Sequence, residues 1–189
     1  VFFHTYIDDL IINDSIGGTG AGTAINGGEV RTMGLELSAN YDRGLHKGWS
    51  LQTPAYVAVT ATRATFETDT ASDDQESIFS GSKKGNRLPY IPELVVSFGL
   101  GAIYQKWSAN LDANYQTTSF ADGANTGAGP GVNARFGKID SRLVMDAALG
   151  YQYSNKVRMF STMKNITSQE YIVSRQPHGA RPGAPLTVM

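Results

Sequence analysis

The sequence contains no cysteine, only 3 histidines and no uninterrupted apolar run of membrane-helix length. Without cysteine, neither a disulfide framework nor a thiolate metal site is possible. A membrane helix needs about 18 or more consecutive apolar residues, so an α-helical membrane protein is excluded as well. Lysine and arginine are scattered and the formal net charge is -1, which leaves no basic stripe for nucleic acid. We therefore expect no nucleic-acid partner.

Glycine and tyrosine are abundant instead. The chain has 21 glycines and 9 tyrosines, its hydrophobic fraction is 41%, and its mean hydropathy is only -0.24. Apolar residues are thus present but dispersed among Gly, Ser, Thr and Asn. This composition is compatible with a membrane β-barrel, because barrel strands alternate and keep the average hydropathy low.

The clearest alternation lies at residues 33–42, where every second side chain is apolar. Met33, Leu35 and Leu37 take one face, whereas Glu36 and Asn40 take the other. The same pattern recurs at residues 49–62, 94–104, 107–116 and 143–152. Acidic and amide side chains on a packed second face are costly in a soluble core but fit a water-filled lumen. The sequence therefore predicts strands with an apolar outer face and a polar inner face.

The connections between these strands alternate in length. Long connections are predicted at residues 13–29, 71–87, 117–140 and 172–185, and short turns at 45–48, 105–107 and 153–156. The strand after the first turn is predicted to continue toward Thr70, and the strand that begins at Val157 to end in residues 164–171. Such alternation is typical of an up-and-down barrel with one rim outside the cell. We predict an all-β, transmembrane antiparallel barrel with eight visible strand segments and no helix.

Two barrel architectures fit these segments: a small closed barrel and an arc of a larger one. The inward positions are rich in Gly, Ser, Asn and Thr, which are too small to fill a narrow lumen. An arc that lines a wide lumen is therefore favoured. A soluble β-sandwich adhesin is a remote alternative, since it would need apolar inward faces.

Three short segments resemble one family. Residues 164–171 (KNITSQEY) resemble the Asn-Leu-Phe-Asp-x-x-Tyr segment near the C-terminus of TonB-dependent outer-membrane receptors. Residues 34–38 (GLELS) resemble a barrel strand of that family, and residues 85–92 (GNRLPYIP) resemble the entry to a later strand. The segments occur in the family's order along the chain.

The resemblance implies a barrel of about 22 strands closed around a plug domain. Residues 1–189 would then be the C-terminal part of a single barrel domain, supplying its last eight strand segments. The chain starts at Val1 without an initiator Met or signal peptide, so we expect a piece of a longer exported polypeptide that also contains the plug and the earlier strands. The expected location is the outer membrane of a Gram-negative bacterium, in contact with its lipid and lipopolysaccharide.

The function implied by the resemblance is import of a ferric chelate, either a ferric siderophore or ferric citrate, driven by TonB through the N-terminal region. Residues 119–126 and 172–177 look most like receptors of the ferric dicitrate type, although Gly123 is an extra residue. We expect no cofactor, with iron carried only as chelated substrate, and no enzyme activity, because the G-x-S-x-G nucleophile elbow is absent. The alternative is a passive porin or a small structural outer-membrane barrel.

Arginines in or beside the long connections are the candidate substrate ligands. The planar guanidinium group suits the carboxylates of an anionic chelate. We predict that Arg135 binds substrate together with Asn125 and Thr126, and that Arg87 and Arg175 assist. The alternative for each arginine is a role in solubility or in lipopolysaccharide contact.

Overall fold

The structure of the chain, a computed structural model, describes residues 1–13, 24–70, 77–127, 134–176 and 178–189. Within these ranges nearly every regular element is a strand, which confirms the prediction of an all-β chain. The elements are β1 (Phe2–Ile7), β2 (Ile11–Asn13), β3 (Ala24–Asn26), β4 (Val30–Asp42), α1 (Arg43–Lys47), β5 (Leu51–Gln52), β6 (Pro54–Phe66), β7 (Leu94–Tyr104), β8 (Trp107–Gln116), β9 (Ser119–Phe120), β10 (Lys138–Ile139), β11 (Arg142–Ser154), β12 (Val157–Lys164), β13 (Ile172–Ser174), β14 (Arg181–Pro182) and β15 (Thr187–Val188).

One antiparallel sheet of nine strands dominates the described part of the chain. Its order is β1-β4-β6-β7-β8-β11-β12-β15, with β5 beside β7. Each long strand therefore pairs with the next long strand in the sequence, as in an up-and-down barrel. The sheet is open, with β1 and β15 at its edges, so closure into about 22 strands stays a prediction.

The register places the predicted apolar side chains on one face. Val59 of β6 pairs with Leu37 of β4 and with Val96 of β7, which in turn pairs with Tyr115 of β8. Cross-strand partners point to the same side of a sheet, so these residues share what we call the apolar face. Polar partners such as Ser97 and Asn114 share the other side, the polar face. The predicted alternation is confirmed.

A short helix, α1, replaces the predicted simple turn between β4 and β6. The Asp42 carboxylate caps it by accepting a hydrogen bond from the Leu45 amide at 2.9 Å, and Gly48 ends it in the left-handed conformation. Gly44 is required because a Cβ there would lie 1.9 Å from the Leu51 carbonyl oxygen. The prediction of no helix is wrong here, since the capping residues stabilise a helical turn of five residues.

Two strand ends differ from the predicted ones. β6 ends at Phe66 rather than near Thr70, where the chain turns to meet the next long connection. β12 ends at Lys164, because Asn165 and Ser168 take positive φ angles of 50° and 49° and turn the chain away from the sheet. Short two-stranded pairs, β2–β3, β9–β10 and β13–β14, form inside three of the long connections. Residues 14–23, 71–76 and 128–133 of the predicted loops lie outside the described residues.

The most buried side chains lie at the long-connection end of the sheet. Val30, Phe66 and Ile139 are fully buried, as are the polar side chains of Asp122 and Asn165. We call the described residues 67–93, 117–141 and 165–186 the loop cap. Val30 and Phe66 alternate in phase with the polar face, so the loop cap covers that face and leaves the apolar face uncovered.

Candidate functional site

The loop cap packs onto the polar face through aromatic and close backbone contacts. The ring of Phe79 meets the ring of Phe66 edge-on, with centroids 6.3 Å apart. Gly123 lies between Phe66 and Ser82, where an added Cβ would be 1.9 Å from the Ser82 hydroxyl oxygen. Glycine at position 123 therefore lets two loops approach each other directly over the sheet.

The carboxylate of Asp122 is the central acceptor of the second loop. Its Oδ1 accepts hydrogen bonds from the amide and the hydroxyl of Thr126, both at 2.9 Å. Its Oδ2 accepts from the amide of Gly137 at 2.7 Å. The side chain is fully buried, so these bonds replace water at both oxygens. Asp122 thereby joins the two described ends of this loop.

Arg87 and Asn125 connect the first loop to the second. The Arg87 amide donates to Asn125 Oδ1 at 2.7 Å, and Asn125 Nδ2 donates back to the Arg87 carbonyl at 2.8 Å. Asn125 has a φ of 56°, a conformation that asparagine tolerates better than most residues. The Arg87 Nη2 group donates to the carbonyls of Thr118 and Ile91 at 2.9 and 3.2 Å, and its guanidinium lies 5.4 Å from the ring centre of Phe120.

Arg175 and Arg135 connect the second loop to the last one. Arg175 donates from Nε to the Lys138 carbonyl at 3.1 Å and from Nη1 to the Ala134 carbonyl at 3.3 Å. Arg135 donates from Nε to Gln176 Oε1 at 3.5 Å, and Gln176 Nε2 donates to the Arg135 carbonyl at 2.9 Å. Sequence reasoning placed both arginines in long connections but did not reveal these partners.

The five predicted site residues therefore fall into two hydrogen-bonded groups. In the first group Arg87 bonds to Asn125, and Asn125 and Thr126 bond to Asp122. In the second, Arg135 bonds to Gln176 and Arg175 donates to the carbonyl of Ala134, the neighbour of Arg135. The strand pair β9–β10 joins the two groups. The Arg87 guanidinium lies over the ring of Phe120, which pairs with Lys138. The Lys138 carbonyl in turn accepts a hydrogen bond from Arg175. Their polar groups hold loops together, and direct substrate contact stays a prediction.

Asn165 is the buried residue that fixes the conformation of residues 164–171, the segment that resembles the TonB-dependent receptors. Its Nδ2 donates to the carbonyls of Gln169 and Ala184 at 2.9 and 3.0 Å, and its Oδ1 accepts from the Gln169 amide at 3.0 Å. Its own amide donates to Asp146 Oδ1 at 2.9 Å. A buried asparagine thus fastens the turn after β12 to the sheet and to the chain before β15. Beside it lies a cavity of about 680 Å³ lined by Gln169, Glu170, Tyr171 and Pro185, among others.

Below the loop cap, the polar face carries side-chain pairs that link strands one or two places apart in the sheet. Tyr56 donates to Asp112 at 2.9 Å, Asn114 to Ser97 at 2.8 Å, Lys164 to Asp146 at 2.9 Å and Arg158 to Ser108 at 3.3 Å. The ring of Tyr56 covers Gly99, where a Cβ would be 2.2 Å from it. Phe160 is the exception, since it pairs with Gly150 on this face and is 75% exposed. Sequence reasoning missed Phe160 because β12 does not alternate clearly.

Cationic side chains at the rim remain available for an anionic ligand. Lys84 and Arg181 are exposed, and their side chains make no hydrogen bond or ion pair within the part of the chain that the structure describes. Among the described residues, no group of three or more His, Asp and Glu side chains is arranged to hold a metal ion. No helix in the described ranges is both long and apolar enough to cross a membrane.

Asp69 at the start of the loop cap gives a pH-dependent contact. The Lys84 amide and then the Lys83 ammonium donate to its carboxylate at 2.9 and 3.1 Å, which lowers the pKa of Asp69 below its ordinary value of 3.8. Because folding lowers the carboxyl pKa, the ionised carboxylate stabilises the folded loop at pH values above the unfolded-state pKa. This stabilisation is lost as the pH falls through the folded-state pKa.

We therefore expect residues 77–86 to lose protection from hydrogen exchange below about pH 4, after correction for the intrinsic exchange rate. Hydrogen exchange mass spectrometry of the full-length protein between pH 3 and pH 7 measures this change. Asp69→Asn should abolish the pH dependence and reduce protection at neutral pH. Equal protection of the unsubstituted protein across the whole range would contradict the role of Asp69.

Comparison with known proteins agrees with this architecture. An antiparallel up-and-down sheet with an uncovered apolar face and a polar face under long loops defines the class of transmembrane β-barrels. The sequence model of the family described as "TonB dependent receptor-like, beta-barrel" matches residues 1–166. The chain belongs to this family. Proteins of the family are outer-membrane transporters of Gram-negative bacteria rather than enzymes.

Solved structures share the fold at low sequence identity. The ferric citrate transporter FecA in its unliganded form is 23% identical, with a TM-score of 0.67, over 85% of this chain and 23% of its own. The siderophore receptor PiuA from Acinetobacter baumannii is 17% identical, with a TM-score of 0.68, over 99% of this chain and 24% of its own. The copper transporter OprC is 21% identical, with a TM-score of 0.64, over 99% of this chain and 27% of its own. The chain spans about a quarter of the length of these structures.

Proposed function

We propose that the chain is part of the barrel wall of an outer-membrane receptor that imports a ferric chelate, a siderophore or citrate complex. The loop cap, fastened across the polar face by Arg87, Asp122 and Arg175, is the observation that carries this proposal. A passive pore needs an open lumen, whereas loops ordered over the polar face form a surface that selects its ligand. The similar structures include a ferric citrate transporter and a siderophore receptor, which supports a ferric chelate as the substrate class, and a copper transporter.

In this mechanism the loops capture the chelate and the polar face guides it inward. An anionic chelate meets exposed Lys84 and Arg181 first, because unpaired cations at the rim attract it over a distance of several ångströms. The predicted site residues then contribute to binding in two ways. They set the shape of the loops, and their side chains can donate hydrogen bonds to the ligand. These residues are Arg87, Arg135, Arg175, Asn125 and Thr126. Iron arrives already chelated, so no resident cofactor is needed.

The rest of the transport cycle involves parts of the protein outside residues 1–189. We propose that a plug domain closes the lumen and that TonB, driven from the inner membrane, moves the plug once the loops hold the substrate. The polar pairs Tyr56–Asp112 and Lys164–Asp146 then line the path that opens. In the Lys164–Asp146 pair the two opposite charges offset each other, which weakens the hold of the wall on an ionic substrate.

Uptake by cells that express the full-length receptor tests this proposal. Radio-iron is supplied as citrate and as several siderophores, with and without TonB. We expect TonB-dependent uptake of one chelate and none of the others. TonB-independent entry of many small solutes would instead establish the passive porin.

A matched pair of variants locates the capture site. Lys84→Ala with Arg181→Ala should raise the KM for an anionic chelate severalfold, because both cations lie at the long-connection end. Lys156→Ala removes one cation at the opposite end, in the turn between β11 and β12, and should leave the KM unchanged. Equal effects of the two changes would contradict capture by the loops.

A further inference from the structure

The three short connections of the main sheet are basic. They span residues 43–53, 105–106 and 155–156. Each contains lysine, and Asp42 is the one acidic residue within or next to any of them. The long connections at the other end contain charges of both signs. We call the cations of the short connections, all of them exposed, the basic turn row: Arg43, Lys47, Lys106 and Lys156.

The first connection holds its charges in fixed places. The Asp42 carboxylate accepts hydrogen bonds from the Leu45 and Thr53 amides, both at 2.9 Å, so it is turned into the connection. The Arg43 guanidinium lies 5.6 Å from the ring centre of Trp49, within the range of a cation–π contact. The single carboxylate is thus engaged with backbone amides, and the cations form the exposed surface.

Lys106 connects the second turn to the third. Its ammonium donates to the Tyr153 carbonyl at 3.4 Å, and its carbonyl accepts from the Gln152 amide at 2.8 Å. The side chains of Lys47 and Lys156, by contrast, make no hydrogen bond or ion pair with any described residue. The row therefore has a fixed middle and a free ammonium group in its first and third turns.

The spacing of the turns decides what kind of anion fits. The three hairpins follow one another in the sheet, so adjacent turns are two strand separations apart, or about 10 Å. Lys47 and Lys156 belong to turns about 20 Å apart. One carboxylate or phosphate is too small to meet all three turns, whereas a chain with repeated negative charges can meet them in succession.

The row continues the polar face rather than the apolar face. The apolar face ends at Tyr104 and Trp107, which pair with each other across the second turn. Lys106 lies two residues before Ser108, and Lys156 two residues before Arg158, and the side chains of Ser108 and Arg158 bond on the polar face at 3.3 Å. The two lysines therefore follow the phase that leads away from surrounding hydrocarbon.

Exposed aromatic rings lie beside these cations. Trp49 is 51% exposed in the first connection, and Tyr153 is 64% exposed at the end of β11. Rings of this kind are apolar on their faces and polar at one edge, so they pack well against sugar rings, which are amphipathic too. An acidic glycan supplies both the negative charges and the sugar rings that such a surface fits.

We propose that the basic turn row, with Trp49 and Tyr153, binds peptidoglycan, the carboxylate-bearing glycan that lies beneath the outer membrane. The Lys47 and Lys156 ammonium groups bind carboxylates of its peptide stems, and the two rings contact its sugars. This goes beyond the proposed function and rests on it for one point, the orientation that places the short turns in the periplasm. Binding between exposed charges is screened by salt, so it weakens as the ionic strength rises.

The test uses the full-length receptor in detergent, where both ends of the barrel are accessible, with isolated peptidoglycan sacculi as the probe. Co-sedimentation measures the Kd. Lys47→Gln combined with Lys156→Gln should raise the Kd about tenfold, or about threefold for each exposed cation. Lys83→Gln combined with Lys138→Gln removes two lysines from the long-connection end and should leave the Kd unchanged.

Modified probes separate peptidoglycan from other anions. Sacculi whose carboxylates are converted to amides should bind the unsubstituted receptor about as weakly as intact sacculi bind the double variant. Polyglutamate has no sugar rings and glycerol phosphate, a lipid headgroup, is not a polymer, so neither should displace the receptor at matched charge. Full displacement by either one, an unchanged Kd in the double variant, or an equal rise in the Lys83 and Lys138 control would each overturn the proposal.

Failure here can be distinguished from failure of the proposed function. Chelate uptake by cells with the Lys47 and Lys156 double variant should match the unsubstituted receptor, since the row lies at the end opposite the capture loops. TonB-dependent chelate uptake together with unaltered sacculus binding in the double variant would refute the row alone. Loss of sacculus binding in the double variant, without TonB-dependent uptake of any chelate by the unsubstituted receptor, would refute the proposed function alone.

Discussion

Replacement of Leu111 by arginine is expected to lower the free energy of unfolding of the membrane-inserted barrel by about 2–4 kcal/mol. Leu111 lies on the apolar face in the middle of β8, between Leu100 of β7 and Ala147 of β11. An arginine there meets hydrocarbon on the outer side and has no acidic neighbour in its row. The measurement is denaturant unfolding of the full-length receptor in lipid vesicles, compared with the unsubstituted protein.

The adjacent positions on the polar face provide the controls for Leu111→Arg. Asn110→Arg places the same side chain toward the lumen and should change the free energy of unfolding by less than about 1 kcal/mol. Asp112→Ala removes the acceptor of the Tyr56 hydroxyl, but both groups can hydrogen-bond to water, so its cost should also be small. Equal destabilisation by Leu111→Arg and Asn110→Arg would refute the assignment of the two faces.

Alternation alone was enough to predict the strands, for a physical reason. A strand between lipid and water reverses its polarity at every residue, and β8 does so throughout, whereas β4, β7 and β11 do so over most of their length. The face was predicted correctly for Leu37, Val96 and Leu111 because a shift of one residue in the register would move every side chain of the strand to the opposite face. β12 lacks this regularity, and there the exposed Phe160 on the polar face could not be foreseen.

The helix α1 was harder to predict than the strands, because it depends on contacts that the alternation of side chains does not reveal. The helix α1 depends on the carboxylate of Asp42 reaching the Leu45 amide and on the close approach of Gly44 to the Leu51 carbonyl. The second of these contacts exists only once β5 lies beside the helix. The sequence around residues 43–48 therefore predicts a turn, but its helical form follows from tertiary contacts.

The candidate site could be predicted as a region but not as a set of contacts. Arginines in the long connections led to the hypothesis of a ligand-binding rim. Arg87, Arg135 and Arg175 lie in the loop cap, where they bond to other loops, and their contact with a ligand stays a prediction. The Arg87 amide binds Asn125 across 38 residues of chain, a separation at which the sequence carries no signal of pairing. Likewise, the Lys106 ammonium reaches the Tyr153 carbonyl only because the β8–β11 register brings the two turns together.

Replacement of Asp122 by alanine is expected to destabilise the loop cap by about 2–5 kcal/mol while the barrel strands stay folded. The amides of Thr126 and Gly137 and the Thr126 hydroxyl lose their acceptor in a buried site that alanine cannot satisfy. Each unsatisfied buried donor costs about 1–3 kcal/mol, and partial entry of water offsets part of the sum. Hydrogen exchange of residues 119–127 and 134–139 in the full-length receptor should increase, and exchange within β8 and β11 should not.

Asp140→Ala is the matched control for Asp122→Ala, since it removes a carboxylate from the same connection. The Asp140 side chain is 85% exposed and lies 3.3 Å from the Lys138 ammonium, an exposed ion pair that contributes less than about 1 kcal/mol. Asp140→Ala should leave both hydrogen exchange in the loop cap and chelate uptake unchanged. Unchanged exchange in Asp122→Ala, or an equal increase in Asp140→Ala, would show that the buried carboxylate does not order the loops. Increased exchange with unaltered TonB-dependent uptake would show instead that substrate capture does not require the loops to be held over the polar face.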